Sequence, residues 1–217
     1  MKWAVGQGYR QDNPAGDAIS AALPNNGAGR KHQRALPHSE VAAAITLIRG
    51  TDAYRATVLA FEFLILTAAR SGEVREARWD EIDLDAATWK IPADRTNMKR
   101  EHRVPLSSRA LAVLSETLQL QDGTGLVFPS MTGRPLADAT ISKLVRENGI
   151  KAVPHGFRSS FRSWAAELSD APREVAELAL GHVNPDKVEA AHMRSDLYER
   201  RRRLMQEWAD YLNCSPP

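Results

Sequence analysis

Thr57-Val58-Leu59-Ala60-Phe61-Glu62-Phe63-Leu64-Ile65-Leu66-Thr67-Ala68-Ala69-Arg70-Ser71-Gly72-Glu73 decides how the rest of the chain is read. Val58, Leu59, Phe61, Leu64, Ile65 and Leu66 leave a helix apolar nearly all round, so it belongs in the middle of a core. The stretch carries Glu62 and is too short to span a bilayer. Arg70 then stands at the end of an otherwise apolar element, where a cation is costly unless it has a partner. Two readings are open. Glu73 is that partner, or the guanidinium is held rigidly for an anionic ligand, since arginine offers phosphate two donors at once.

Working upstream, Thr51 or Asp52 starts this central helix, and Ser39 is placed to cap a helix running to Ile48. Further back, Asn25-Asn26-Gly27-Ala28-Gly29 and Asp12-Asn13-Pro14-Ala15-Gly16 read as linker. Lys2 to Gln7 reads as the last turns of a helix closing at Gly8, which implies an upstream domain.

Working downstream, a short helix is expected from Gly72 to about Arg78. The period then changes from helical to alternating. Ile82 and Leu84, a turn at Asp85-Ala86-Ala87, then Trp89 and Ile91 make a hairpin. Val104 and Leu106 offer a third strand after a polar loop from Arg95 to His102. Helical spacing returns from Ser107 to about Gln121, and again at about 137–148, 155–168, 172–180 and 196–212. Leu126 to Pro129 is extended. In the last helix Leu197, Leu204, Trp208 and Tyr211 form one apolar stripe. The sum is a mainly helical fold with a small antiparallel sheet.

A chain of 217 residues can hold one sizeable core, or one domain plus a tail. Its net charge of +2 neither demands nor excludes a polyanionic partner. The placing of charge says more: Arg95, Lys99, Arg100 and Arg103 crowd one segment, and Arg200 to Arg203 run unbroken. Such clusters neutralise phosphates or form a solvated face. Cys214 is the single cysteine, so an internal disulfide and a multi-cysteine zinc site are excluded, and a reducing compartment is expected. The histidines show no compact metal-ligand spacing.

Three further places carry chemistry. After Pro154, His155-Gly156-Phe157-Arg158 puts His155 and Arg158 on one face near a helix N-terminus, where free N–H groups favour an anion. In Leu180-Gly181-His182 the glycine ends the preceding helix and leaves the imidazole in a turn. Lys99 sits in the loop between the second and third strands, either idle at the surface or able to enter a groove.

In order and spacing these sites resemble the tyrosine-recombinase (phage-integrase) family, most of all integrases of prophages and genomic islands. The resemblance runs from the linker to Tyr211. The family pattern is an arginine in an Ala-Arg-x-Gly-Glu turn, a lysine in a β-hairpin, His-x-x-Arg, Leu-Gly-His, and a tyrosine. Arg70, Lys99, His155 with Arg158, and His182 match the first elements. Arg103-Val104-Pro105-Leu106, Gly156-Phe157 and Arg200-Arg201-Arg202 match the surrounding text. The nucleophile is expected in an Ala-Tyr-x-Arg context; here that context reads Ala191-His192-Met193-Arg194. Neither Tyr198, in text that relatives also carry past the nucleophile, nor Tyr211, on the apolar stripe, is expected to replace it.

The resemblance implies the mainly α catalytic-domain fold of the tyrosine recombinases (DNA breaking-rejoining enzymes), with a three-stranded antiparallel sheet. It implies residues 1–35 as a remnant of a core-binding domain with its linker, and 36–217 as the catalytic domain. The implied chemistry is metal-free strand transfer through a 3′-phosphotyrosyl link, without a cofactor. Arg70 and Arg158 would clamp the non-bridging oxygens and His182 would add a donor. Lys99 would protonate the leaving 5′-oxygen, and His155 would assist proton transfer. Arg95, Arg100 and Arg103 would contact DNA. With His192 in place the chain is expected to bind double-stranded DNA and transfer strands poorly or not at all. The alternative is an inactive DNA-binding or regulatory remnant of an integrase. Implied partners are DNA, further copies in a tetramer on synapsed sites, and an excision factor. The free fragment is expected to be a monomer, cytoplasmic and away from membranes.

Overall fold

The computed structural model describes residues 2–9, 11, 34–96, 99–121, 123–182 and 195–214. The linker expected at 12–33 and the segment 183–194, with His192, lie outside them. The chain divides into two units, Met1–His32 and Gln33–Pro217. In the first, α1 (Lys2–Gly6) is closed by Gly8, whose φ of 76° is the left-handed value glycine adopts at no steric cost. The Trp3 and Tyr9 rings lie 5.9 Å apart.

The second unit begins with a tight turn at His38–Glu40 that leads into α2 (Val41–Arg49). Ser39 lies inside this turn and makes no capping bond, contrary to expectation. α3 (Arg55–Thr67) starts later than its sequence suggests. The Thr51 hydroxyl donates back to the Ile48 carbonyl at 2.7 Å, so it closes α2 and does not open α3. α3 is the central helix: every residue from Ala56 to Thr67 is buried. Ala68 ends it with a left-handed φ of 48°. α4 (Ser71–Arg75) follows directly.

The sheet is β1 (Ile82–Asp83), β2 (Thr88–Ile91) and β3 (His102–Pro105), antiparallel in that order. Trp89 pairs with Val104, and Ile91 with His102. Trp89 and Ile91 are buried while Lys90 between them is exposed, as strand alternation requires. α5 (Ser108–Leu118) is capped by Ser107, whose hydroxyl accepts from the Ala110 N–H. α6 (Ala139–Glu147), α7 (Gly156–Leu168), α8 (Arg173–Ala179) and α9 (Tyr198–Cys214) complete the described elements.

α3 holds the others through large rings. Phe61 meets Phe157 of α7 edge-on at 5.3 Å, and Phe63 meets Trp89 of β2 at 5.4 Å. Trp208 of α9 donates its indole N–H to the Ile65 carbonyl at 3.0 Å. Glu62, buried in the same helix, is satisfied by Arg49 and by Arg109 at 2.7 Å. Arg200 to Arg203 is not a uniform surface stripe. Helical spacing turns Arg201 inward with Leu204, Met205 and Trp208, and it is 2 % exposed. Arg201 donates to the Arg103 carbonyl at 2.6 Å and to the Asp196 carboxylate at 2.7 Å. Among the described residues no helix is long and apolar enough to cross a membrane.

Gly156 shows why the His-x-x-Arg stretch needs a glycine. A Cβ there would lie 2.0 Å from the Arg34 carbonyl oxygen. That carbonyl accepts from the Val153 N–H at 3.0 Å, pinning the incoming chain onto the start of α7. In an open helix Gly→Ala stabilises by about 1 kcal/mol. Here Gly156→Ala is expected to destabilise by about 1–3 kcal/mol, as overpacking does. Urea unfolding checks the sign.

Candidate active site

Two helix ends and a turn build the site around Arg158. This residue is 4 % exposed. It donates to the carbonyl of Ala68, which ends α3, and to the carbonyl of Leu180, which ends α8, the latter at 2.5 Å. Both acceptors sit at helix C-termini, where the backbone is negative. No carboxylate bonds to Arg158 among the described residues. Burial first, then the nearby Arg70, pushes this guanidinium down to about 10.

Arg70 opens α4. Its side chain donates to Glu73 Oε1 at 3.0 Å, and its backbone N–H donates to Glu73 Oε2 at 2.7 Å. The pairing reading therefore holds, yet Arg70 is close enough to Arg158 for the two charges to bear on each other. Arg95 fixes the same helix from behind. It donates to the Glu73 and Glu76 carbonyls at 2.9 and 2.6 Å and to Glu81 at 2.5 Å. Its side chain is only 16 % exposed, and its guanidinium is engaged by these contacts.

His182 follows Gly181, whose φ of 63° turns the chain back. Its Nε2 lies 3.3 Å from the Arg158 guanidinium and its Nδ1 lies 2.7 Å from Glu177. Glu177 also accepts from Arg162 at 2.6 Å. Although burial opposes it, hydrogen bonds from His182 and Arg162 hold this carboxyl below its usual range. His155, at the start of α7, is exposed at the surface. Loss of hydration, then Arg158, Arg70 and His182, lowers its imidazole. Arg70, Arg158, His155 and His182 thus come together from three separate stretches of chain.

The other expected residues stand apart. Lys99 is exposed, with a left-handed φ of 52°. No hydrogen bond or ion pair joins its side chain to the cluster among the described residues. Arg100 is exposed beside it. Arg103 bonds Asp196 at 2.7 Å and lies over the Tyr198 ring at 4.5 Å. The Tyr198 hydroxyl is held by Thr88 on β2, and that of Tyr211 by His38 at 2.8 Å. Among the described residues no group of three histidine, cysteine or acidic side chains is placed to hold a metal.

Sequence reasoning missed Glu177 and His102. Glu177 had a signal, because a glycine-ended helix folds the turn back over its last residues. His102 had one too, since strand alternation puts it on the same face as Val104. Burial, with Arg201 the largest adverse charge, pushes the His102 imidazole down to about 4. The unfolded chain therefore takes up a proton on His102 near its ordinary 6.5 while the folded chain does not. Stability from this residue is complete above that value and is lost as pH falls toward 4. Urea midpoints measured across this range should flatten in His102→Gln.

The model of the phage integrase family matches residues 34–196. The chain is 36% identical over 190 residues to prophage integrase IntA of Escherichia coli (strain K12), covering 86% of this chain and 46% of that protein. It is 33% identical over 237 residues to the integrase of Enterobacteria phage P4, covering 99% of this chain and 53% of that one. The chain thus spans about half the length of the curated relatives it matches. The integrase from mycobacterium phage Brujita superposes with a TM-score of 0.61 at 17% identity, over 95% of this chain and 67% of that one. A lambda integrase (75-356) dimer bound to a COC' core site gives 0.60 at 21%, over 90% of this chain and 69% of that one. These solved structures share the fold.

Proposed function

Because the chain belongs to the phage integrase family, we propose that its residues from 36 onward are a catalytic domain for metal-free DNA strand transfer. The observation that carries this is the convergence of Arg70, Arg158, His155 and His182 on one place. A phosphodiester there would set its non-bridging oxygens between two guanidinium groups, with His182 as a further donor. The charge that grows in a pentacoordinate transition state is what such fixed donors stabilise. Arg158 supports the reading in particular, since among the described residues no carboxylate bonds this buried cation, and burial is costly unless an anion completes it.

In this mechanism the nucleophile attacks phosphorus, the bond to the 5′-oxygen breaks, and Lys99 gives that oxygen its proton. His155 assists at the attacking group. Lys99 reaches the phosphate from its exposed loop. His192 stands in sequence where the family's tyrosine is expected, and an imidazole is a shorter side chain than a phenol, so attack geometry suffers. The chain then binds double-stranded DNA and transfers strands poorly. Self-association on synapsed sites, an excision factor and a cytoplasmic setting belong to the same reading, as does a core-binding remnant at residues 1–35. His192 also favours a second reading, an inactive remnant that keeps the fold for DNA binding or regulation.

A nicked suicide substrate separates the two. The His192→Tyr chain should form a covalent protein–DNA adduct, seen as a shifted band on a denaturing gel. Arg158→Ala added to it should abolish the adduct. A folded His192→Tyr chain that forms none favours the remnant.

Surface arginines also divide by their partners. DNA affinity should fall steeply with salt as phosphate counterions are released. Arg100→Ala should lower the slope of log affinity against log salt by about 1. Arg95→Ala should leave the slope alone and cost about 1–3 kcal/mol of folding stability, since the half-buried Glu73 carbonyl and the Glu81 carboxylate lose their donor. Fluorescence anisotropy titrations and urea unfolding check the two.

A further inference from the structure

His102 is a half-buried imidazole that this chemistry does not use, and its surroundings join two parts of the site. It opens β3, just past the loop that carries Lys99. Its ring edge lies against Gly181: a methyl on that glycine would stand 3.3 Å from Nε2 and 3.5 Å from Cδ2 and Cε1. The ring also hydrogen-bonds the Ala179 backbone at the end of α8. Glu73, Arg158 and Arg201 face it from α4, α7 and α9. Arg201 secures the strand on the next residue by donating to the Arg103 carbonyl at 2.6 Å. Gly181 is therefore needed twice, for its backbone angle and for the room it leaves the ring. A neutral ring suits this place. It keeps an N–H for the carbonyl and adds no charge against Arg158 and Arg201.

We propose that His102 is a positioning residue that seats the Lys99 hairpin against the Leu180-Gly181-His182 turn, and so sets the proton donor in register with the phosphate clamp. The inference rests on the reading of Lys99 as the acid and of Arg70 and Arg158 as the clamp. The turn is the right thing to seat against, because the Leu180 carbonyl and His182 both hold Arg158. A hairpin that shifts on this turn moves Lys99 away from the leaving oxygen and leaves the clamp whole.

The test compares two nicked DNA substrates in the His192→Tyr chain. One is ordinary DNA. In the other, sulfur replaces the bridging 5′-oxygen, and the thiolate leaves without a proton. His102→Ala should slow cleavage of ordinary DNA on the order of 100-fold, as small misplacements of a reacting group do. Cleavage of the sulfur substrate should stay near the parent rate. His102→Gln, which keeps a neutral donor, should recover most of the loss. His102→Asn, shorter and still neutral, is run beside them and should show the same selective loss, so that an unfolded alanine variant leaves the comparison standing. Equal loss on both substrates, or no loss on either, overturns the proposal. A folded His192→Tyr chain that cleaves neither substrate fails at the underlying reading instead, and the proposal falls with it.

Discussion

A single buried guanidinium sets the terms for this structure. Arg158 leaves water and is received by two backbone carbonyls, one ending α3 and one ending α8. Those carbonyls are unpaired within their own helices, so the cation and the helix ends satisfy each other. The arrangement brings together elements far apart in sequence, the close of the central helix and the turn before His182. Among the described residues no acid is bonded to that positive charge. Glu73 and Glu177 lie near enough to favour it, and Arg70 near enough to oppose it.

The supporting groups work through backbone and carboxylate contacts. Glu73 holds Arg70 by side chain and main chain together, and Arg95 holds the carbonyls of the same short helix. Glu177 holds His182 by one nitrogen while the other faces Arg158. On the far side of the segment 183–194, Asp196 is gripped by Arg103 and Arg201. Hydrogen bonds from Arg103, with Arg201 close by, hold the Asp196 carboxyl below its usual range despite burial. His182 and Asp196, described on either side of that segment, are thus each held by charged partners.

Much of this was legible in the sequence, and the parts that were not share a cause. The largely apolar run before Arg70 announced a central helix, and the change from helical to alternating period announced the sheet. Arg70, His155, Arg158 and His182 were singled out by the resemblance, and each sits near an element end that sequence marks with proline, glycine or a break in period. What sequence could not supply was the choice of partner across the fold. Arg95 stands in a run of basic residues, and nothing local announced that Glu81 and two carbonyls would engage it. Arg201 looked like one of four surface cations until helical spacing turned it toward Asp196. Ser39 and Thr51 looked like helix starts, but one lies within a tight turn and the other closes the helix before it. Such outcomes depend on which groups meet at long range, and local pattern is blind to that.

The account requires a tetrahedral or pentavalent oxyanion to lie between the guanidinium groups of Arg70 and Arg158. A crystal structure of the chain with vanadate tests this most directly. The expected result is vanadium density with oxygens about 3 Å from both guanidinium groups and beside the imidazoles of His155 and His182. Vanadate that binds elsewhere while this place holds only water would contradict it.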